Sequence, residues 1–204
     1  MSVRVAGIVL AAGASRRMGT PKASLCFGAR TFLAHAIAAL EDGGVGDVVV
    51  VAGEAAATVR AALPAGRTIP LLRNPAPDRG QLSSLKIALQ HVCATIPDAG
   101  AVVMALVDHP AVRAGTVAAL LAAAGEAAIV VPTYGGRRGH PVLFARTVWQ
   151  ELLDAPDELG ARAVVHADVG RVRLVPVDDA GILVDVDTPE DFRELLARAV
   201  RADR

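Results

Sequence analysis

The sequence carries little that would direct it to a membrane or a nucleic acid. Its 21 basic and 21 acidic residues cancel, which leaves no general electrostatic attraction to nucleic acids or membrane surfaces. Residues 13–17 interrupt the first apolar run too early for a signal peptide, and no uncharged stretch is long enough to span a bilayer. We therefore expect a cytoplasmic protein without a nucleic-acid or membrane partner.

Cysteine and aromatic residues are also scarce. The two cysteines, Cys26 and Cys93, lack the spacing of metal ligands and lie in apolar surroundings, so we expect buried free thiols. Aromatic residues form 3% of the chain although 53% of it is hydrophobic. Most of the apolar content is therefore Ala, Val and Leu, which suits helices packed on a sheet.

Lysine occurs only twice among the 21 basic residues, as Lys22 and Lys86. A lysine ammonium is a compact, mobile charge, whereas the arginine guanidinium suits fixed bidentate contacts. A lysine at position 22, in a chain that otherwise uses arginine, therefore favours a role at a phosphorus atom that changes geometry.

Apolar runs alternate with helical periodicities along all 204 residues, without a repeat or a long linker. The pattern predicts one domain, a three-layer α/β/α sandwich on a mostly parallel, mixed sheet of Rossmann-like type. Helices are predicted at 31–41, 55–63, 81–93, 116–124, 147–153, 161–167 and 189–200. Extended segments are predicted at 3–10, 48–52, 69–72, 101–107, 128–132, 171–177 and 182–186, with a Gly-tipped antiparallel hairpin at 134–144.

Ligands of such folds lie outside the carboxyl ends of the strands, which directs attention to residues 11–22, 74–84, 108–110 and 187–189. The first of these loops, LAAGASRRMGTPK, is neither of two common phosphate loops. Ser15 stands where a dinucleotide fingerprint needs its second glycine. A Walker A loop requires a glycine directly before its lysine, whereas Lys22 follows Pro21. The loop is either a backbone cradle for phosphate, with Arg17 and Lys22 supplying charge, or a tight turn with solvated cations.

The same residues resemble the opening of the MobA-like nucleotidyltransferases, and especially of the molybdenum cofactor cytidylyltransferases. Further segments are similar to that family in the expected order: NPAPDRGQLSSLKIAL at 74–89, ALVDHPAV at 105–112, GRRGHPVLF at 136–144 and VDVDTPEDF at 184–192. The resemblance implies a nucleotide-diphospho-sugar transferase type of fold over residues 1–204, in which the N-terminal half binds the nucleoside triphosphate and the C-terminal half the acceptor.

The reaction implied by the resemblance is nucleotidyl transfer to an acceptor phosphate with release of pyrophosphate. Lys22, Arg17 and Asp108 are the implied catalytic residues, and Mg²⁺ is implied at Asp108 and Asp187, with Asp185 as a weaker third candidate. Asp187 also stands at an ordinary helix start, so a capping role for it stays open.

Two binding sets follow from the same resemblance. The nucleotide set is Leu10, Ala11, Ala12, Gly13, Ala14, Ser15, Arg16, Arg17, Met18, Gly19, Lys22, Asn74, Gly80, Gln81, Ser83, Ser84 and Asp108. The acceptor set is Arg138, Gly139, His140 and Pro141. From the residues alone, Ser83 or Ser84 is equally a helix cap, His140 a structural histidine, and the arginines at 137 and 138 a solvated turn.

The substrates are implied less directly. Ala12 stands where guanylyl-transferring members carry glycine, and its methyl group leaves less room for a purine, which favours CTP over GTP. The acceptor implied is molybdopterin, with or without molybdenum, and the resemblance also implies transient contact with a molybdoenzyme or its chaperone. Two alternatives stay open. One is a nucleotidyltransferase for another phosphorylated acceptor, such as a sugar phosphate or phospholactate. The other is a protein without transfer chemistry, either a nucleotide-binding maturation factor for a molybdoenzyme or an oxidoreductase relative.

Overall fold

The computed structural model of the chain describes residues 3–202 and contains ten strands within that range. Seven of them form the continuous path β10-β7-β9-β6-β1-β4-β5 of one sheet, β8 pairs with β7, and β2 pairs with β3 in a separate ribbon. The strands are β1 (Val5–Ala11), β2 (Cys26–Phe27), β3 (Arg30–Thr31), β4 (Asp47–Ala52), β5 (Leu71–Arg73), β6 (Ala101–Leu106), β7 (Ile129–Tyr134), β8 (Arg137–Arg138), β9 (Val142–Ala145) and β10 (Val172–Pro176).

Seven α-helices cover the two faces of this sheet within the described residues. They are α1 (Phe32–Asp42), α2 (Ala56–Ala61), α3 (Gln81–Thr95), α4 (Ala114–Ala122), α5 (Trp149–Asp154), α6 (Ala161–Ala167) and α7 (Pro189–Ala202). In the part of the chain that the structure describes, none of them is long and apolar enough to cross a membrane.

The central strand β1 shows why three layers form. Val9 and Ala11 point into the apolar core that contains Phe32 of α1, whereas Ile8 and Leu10 point into the core that contains Leu85 of α3. Successive side chains of a strand alternate between faces, so a strand that is apolar at every position must be covered on both sides. The predicted α/β/α sandwich is confirmed.

The sheet is mixed because β9 runs antiparallel to both of its neighbours, β6 and β7. All other pairings of the main sheet except the short β7–β8 hairpin are parallel. The antiparallel segment predicted at residues 134–144 is therefore confirmed, and it returns the chain from the Gly-rich tip into the middle of the sheet.

Two sequence predictions are wrong. Residues 182–186 are not a strand: Ala180–Leu183 forms a 3-10 turn, because the buried carboxylate of Asp179 accepts hydrogen bonds from the main-chain N–H groups of Gly181 and Arg113 and from the Thr116 hydroxyl. Cys26 is free but exposed, because its strand β2 belongs to the separate ribbon rather than to the sheet; Cys93 is free and half-buried.

The end of β4 fixes the position of the first loop. Gly53 follows this strand, and a Cβ atom added there would lie 2.5 Å from the carbonyl oxygen of Ala12. We expect Gly53→Ala to lower the free energy of unfolding by about 1–3 kcal/mol, because backbone must shift to relieve the overlap. Urea denaturation measures this, with Gly46→Ala as the matched control, since nothing lies within 4 Å of a Cβ there. Equal stability of the two variants would show that the Ala12 loop is loosely held.

Candidate functional site

Four loops meet at the carboxyl edge of the parallel strands and enclose a cleft of about 480 Å³. Its wall combines the loop after β1, the start of α3, the end of β6 and the segment before α7. The predicted residues that line it are Leu10, Ala11, Ala12, Gly13, Ala14, Ser15, Arg16, Arg17, Lys22, Gly80, Gln81, Ser84, Asp108 and Asp187.

The loop after β1 is organised by Ser15, which adopts the left-handed region with φ of 50°. Its carbonyl accepts from the main-chain N–H groups of Met18 and Gly19 at 3.0 and 3.1 Å, and its hydroxyl accepts from Lys22 N at 3.1 Å. Within residues 3–202 the main-chain N–H groups of residues 13–17 donate to no protein acceptor. They therefore remain available to an anionic ligand in the cleft.

Lys22 joins the two predicted metal carboxylates. Its ammonium nitrogen lies 3.1 Å from Asp108 Oδ2 and 2.5 Å from Asp187 Oδ1. The other Asp187 oxygen accepts from Arg17 at 2.6 Å, and His109 Nδ1 lies 3.0 Å from Asp108 Oδ1. A main-chain bond from Val186 N to the Asp108 carbonyl, 2.9 Å long, holds the two carboxylate segments side by side.

The charges of this cluster reinforce one another. Burial disfavours the ammonium of Lys22, but attraction to Asp108 and hydrogen bonds to both carboxylates outweigh it, so the pKa of Lys22 is raised. Burial of Asp108 opposes its ionisation, yet the hydrogen bond to His109 and attraction to Lys22 hold its pKa at about 2. The hydrogen bond from Lys22 lowers the pKa of Asp187 against a smaller effect of burial. Both carboxylates are therefore ionised at neutral pH.

Asp187 is not the cap of the helix that follows it. Thr188 and Asp191 form a capping box at the start of α7: Thr188 N donates to Asp191 Oδ2 at 2.7 Å, and Asp191 N donates to Thr188 Oγ1 at 3.2 Å. The Asp187 carboxylate is left to face the cleft. Asp185 is exposed and lies outside the residues that line the cleft.

Four residues of the predicted nucleotide set do not line the cleft: Met18, Gly19, Asn74 and Ser83. Asn74 is buried, and its amide nitrogen donates to the hydroxyls of Ser83 and Ser84 at 2.8 and 2.9 Å. Its hydrogen bonds thus position the first turn of α3, which begins at Gln81 without a side-chain cap. Direct contact of these four residues with a nucleotide stays a prediction.

A second pocket of about 360 Å³ adjoins the cleft, and Gln81 lines both. Its floor is apolar and buried, formed by Met104, Val131, Val142 and Phe144. Its rim contains the predicted acceptor residues Arg138, Gly139 and His140, whereas Pro141 lines a smaller apolar cavity. Burial, and then the neighbouring His109, lower the pKa of His140 to about 4, so its imidazole is neutral at pH 7.

The rim also contains Arg162 and His166 of α6, which the sequence analysis missed. Their spacing of four residues places them on one helix face, and this is the signal that would have paired them. Within residues 3–202, Arg138 and Arg162 form no ion pair, and no Asp or Glu lines this pocket. The pocket is therefore electropositive in a chain without net charge.

An ion cluster missed by the sequence analysis lies between the two pockets. The carboxylate of Asp157, whose side chain is 2% exposed, lies 2.8 Å from both Arg79 and Lys86. Arg79 precedes Gly80 of the cleft, and Asp157 precedes residues 160–162 of the second pocket. The second lysine of the chain thus holds the two pocket walls together.

The cleft suits a divalent cation that keeps part of its water shell. Asp108 and Asp187 supply hard oxygen ligands, and no third His, Cys, Asp or Glu of the described residues completes an all-protein cage. Mg²⁺ and Mn²⁺ in nucleotide sites are held in this way, by one or two carboxylates together with phosphate oxygens and water.

Solved structures with similar folds include Rv0371c from Mycobacterium tuberculosis H37Rv. Its structure superposes with a TM-score of 0.83 at 33% identity, covering 97% of this chain and 99% of that one. A second structure of that protein, a complex with manganese, superposes with a TM-score of 0.81 at 31% identity, over 96% and 99% of the chains.

Two curated proteins are related in sequence. Nicotine blue oxidoreductase of Paenarthrobacter nicotinovorans is 29% identical over 94% of this chain and 96% of its own length. Molybdenum cofactor guanylyltransferase of Rhizobium johnstonii is 32% identical over 68% of this chain and 61% of its own length. Residues 7–172 match the MobA-like NTP transferase domain. This match spans the β1 loop, the start of α3 and Asp108, and with it the chain belongs to the MobA-like nucleotidyltransferases.

Proposed function

We propose that this protein transfers a cytidylyl group from CTP to the phosphate of a molybdopterin-type acceptor and releases pyrophosphate. The observation that carries the proposal is the position of Lys22 and its two carboxylates in a cleft that shares Gln81 with a second pocket with a basic rim. Two anionic substrates bound in these pockets would meet beside Gln81. Mere binding of a nucleotide does not need a lysine set between two carboxylates, so the arrangement favours catalysis.

In this reaction the protein would position the two substrates and neutralise the negative charge of their phosphates. An oxygen of the acceptor phosphate attacks the α-phosphorus in line, the bond to the bridging oxygen of pyrophosphate breaks, and pyrophosphate leaves. The free N–H groups of residues 13–17 would hold the β- and γ-phosphates together with Arg17. Lys22 would neutralise charge at the α-phosphate. Mg²⁺ at Asp108 and Asp187, when bound, supplies further neutralisation of the phosphate oxygens.

The transfer itself is tested by pyrophosphate release with CTP, GTP or ATP, Mg²⁺ and molybdopterin. We expect CTP to be used best, and we expect Lys22→Ala to lower turnover by roughly 10²–10³-fold, because it removes a cation at the reacting phosphate. Arg30→Ala, which removes an equal charge from exposed β3, should leave turnover unchanged. Sugar phosphates and phospholactate serve as comparison acceptors. No pyrophosphate from any of these mixtures would contradict transfer chemistry.

Selection of the base is proposed to depend on Ala12. This residue lines the cleft, and its carbonyl is held against Gly53, so its methyl group occupies a fixed place. We expect Ala12→Gly to raise the ratio of kcat/KM for GTP to that for CTP by about tenfold, since one methyl group changes pocket affinity by 1–3 kcal/mol. Ala14→Gly, in the same loop, controls for added backbone freedom. An unchanged ratio would assign base selection to other groups, such as Gln81.

The acceptor is proposed to bind in the second pocket, with its ring over the apolar floor and its charged groups at the rim. Arg162 and Arg138 have no protein counter-ion in the described part of the chain, which favours an anionic acceptor over a neutral one. The likeness to molybdenum cofactor guanylyltransferase supports a molybdopterin-type acceptor.

Arg162 provides the test of this acceptor site. We expect Arg162→Ala to raise the KM for the acceptor by roughly 10–100-fold, because a charged hydrogen bond contributes about 1.5–3 kcal/mol, and to leave the KM for CTP unchanged. Steady-state kinetics with each substrate varied in turn separates the two constants. The control is Arg137→Ala, on the same exposed hairpin as Arg138 but outside the pocket lining. Equal effects of the two substitutions on the KM for the acceptor would show that the acceptor does not bind in this pocket.

A further inference from the structure

All four oxygens of the two cleft carboxylates already have partners. Asp108 contacts His109 through Oδ1 and Lys22 through Oδ2, and Asp187 contacts Lys22 through Oδ1 and Arg17 through Oδ2. Three of these four contacts come from cationic groups. The carboxylates are therefore neutralised within the protein itself.

This arrangement opposes the binding of a bare divalent cation. Mg²⁺ bonds oxygen at about 2.0–2.1 Å, whereas the ammonium of Lys22 lies 2.5 and 3.1 Å from one oxygen of each carboxylate. The two cations cannot share those oxygens without strong repulsion. The Lys22 side chain is 12% exposed, so water screens that repulsion only in part.

We infer that Lys22, assisted by Arg17, occupies the metal site of the nucleotide-free protein and that the metal enters together with the triphosphate. The inference rests on the proposed function, because it needs a triphosphate in the cleft. Two cations here balance two carboxylates, so a bare metal would add two positive charges without an anion. A metal–triphosphate complex brings its own negative charge, and its phosphates offer Lys22 and Arg17 new partners.

The exchange explains how one lysine serves in two places. In the free protein Lys22 is counter-ion to Asp108 and Asp187; with nucleotide bound it moves to the phosphate and releases their oxygens. A purely structural role for Lys22 predicts a different effect on metal affinity. If Lys22 merely supported the carboxylates, its removal would leave them less well positioned, and metal affinity would stay equal or fall.

Binding of Mn²⁺ alone distinguishes these cases, measured by electron paramagnetic resonance and by titration calorimetry. We expect Lys22→Met to bind Mn²⁺ about 10–100-fold more tightly than the wild type, the range of a typical coupling between two sites. Arg30→Met is the matched control: it removes an equal charge from exposed Arg30 of β3, which does not line the cleft. Its affinity for Mn²⁺ should equal that of the wild type.

Arg17→Met provides a second variant if Lys22→Met does not fold. The Arg17 side chain is 67% exposed and contacts one carboxylate oxygen, so we expect a gain in the same direction but smaller. Saturating CTP should abolish the difference in Mn²⁺ affinity between Lys22→Met and the wild type. Equal or weaker binding of Mn²⁺ by both variants, without nucleotide, would overturn the inference. Failure of every protein to bind CTP in calorimetry would instead count against the proposed function.

Discussion

The contact of one ammonium group with two carboxylates determines how this site is built. Lys22 lies 86 residues from Asp108 and 165 residues from Asp187 in the sequence, yet its Nζ contacts both. This requires the ends of β1 and β6 to be neighbours, which their parallel pairing provides. It also requires the segment before α7 to lie beside the end of β6. The bond from Val186 N to the Asp108 carbonyl provides that, and the capping box of Thr188 and Asp191 leaves Asp187 free for the cleft.

The two pockets differ in whether their cationic side chains are paired with carboxylates. The cations of the cleft are each paired with an aspartate: Arg16 with Asp78, Arg17 with Asp187, and Lys22 with Asp108 and Asp187. The proposed nucleotide would have to replace these ion pairs with its own, and a triphosphate that carries a metal ion would also bring a new cation to the carboxylates. Arg138 and Arg162 at the second pocket lack such partners within residues 3–202. The proposed anionic acceptor would therefore displace no protein carboxylate from these two arginines.

The sequence was sufficient for those parts of the fold that depend on local pattern. Apolar runs such as residues 3–10, alternating with helical periodicity, predict buried parallel strands, and their carboxyl ends indicate the loops that line the cleft. The misses depend on partners distant in sequence. Residues 182–186 are apolar enough for a strand. The Asp179 carboxylate, however, accepts hydrogen bonds from Arg113 N and the Thr116 hydroxyl, and the chain after it forms a 3-10 turn. The spacing of Arg162 and His166 places them on one face of α6, but it does not indicate that this face lines a pocket together with Val142 and Phe144 of β9.

The two lysines of the chain show how burial separates a moving charge from a fixed one. Both contact aspartates beside the proposed substrate pockets, but Asp108 and Asp187 are 27% and 34% exposed whereas Asp157 is 2% exposed. In the proposed exchange, a phosphate of the nucleotide would replace the carboxylates at Lys22, and the partly exposed carboxylates would regain contact with water. If Lys86 moved, the buried carboxylate of Asp157 would keep Arg79, whose side chain is 66% exposed, as a partner. The cost would then be smaller than the roughly 3–5 kcal/mol of a buried charge left without its partner. Lys86 is therefore the more firmly held of the two lysines, and under the proposed mechanism it would keep α3 beside the segment around Asp157 while Lys22 moves to the phosphate.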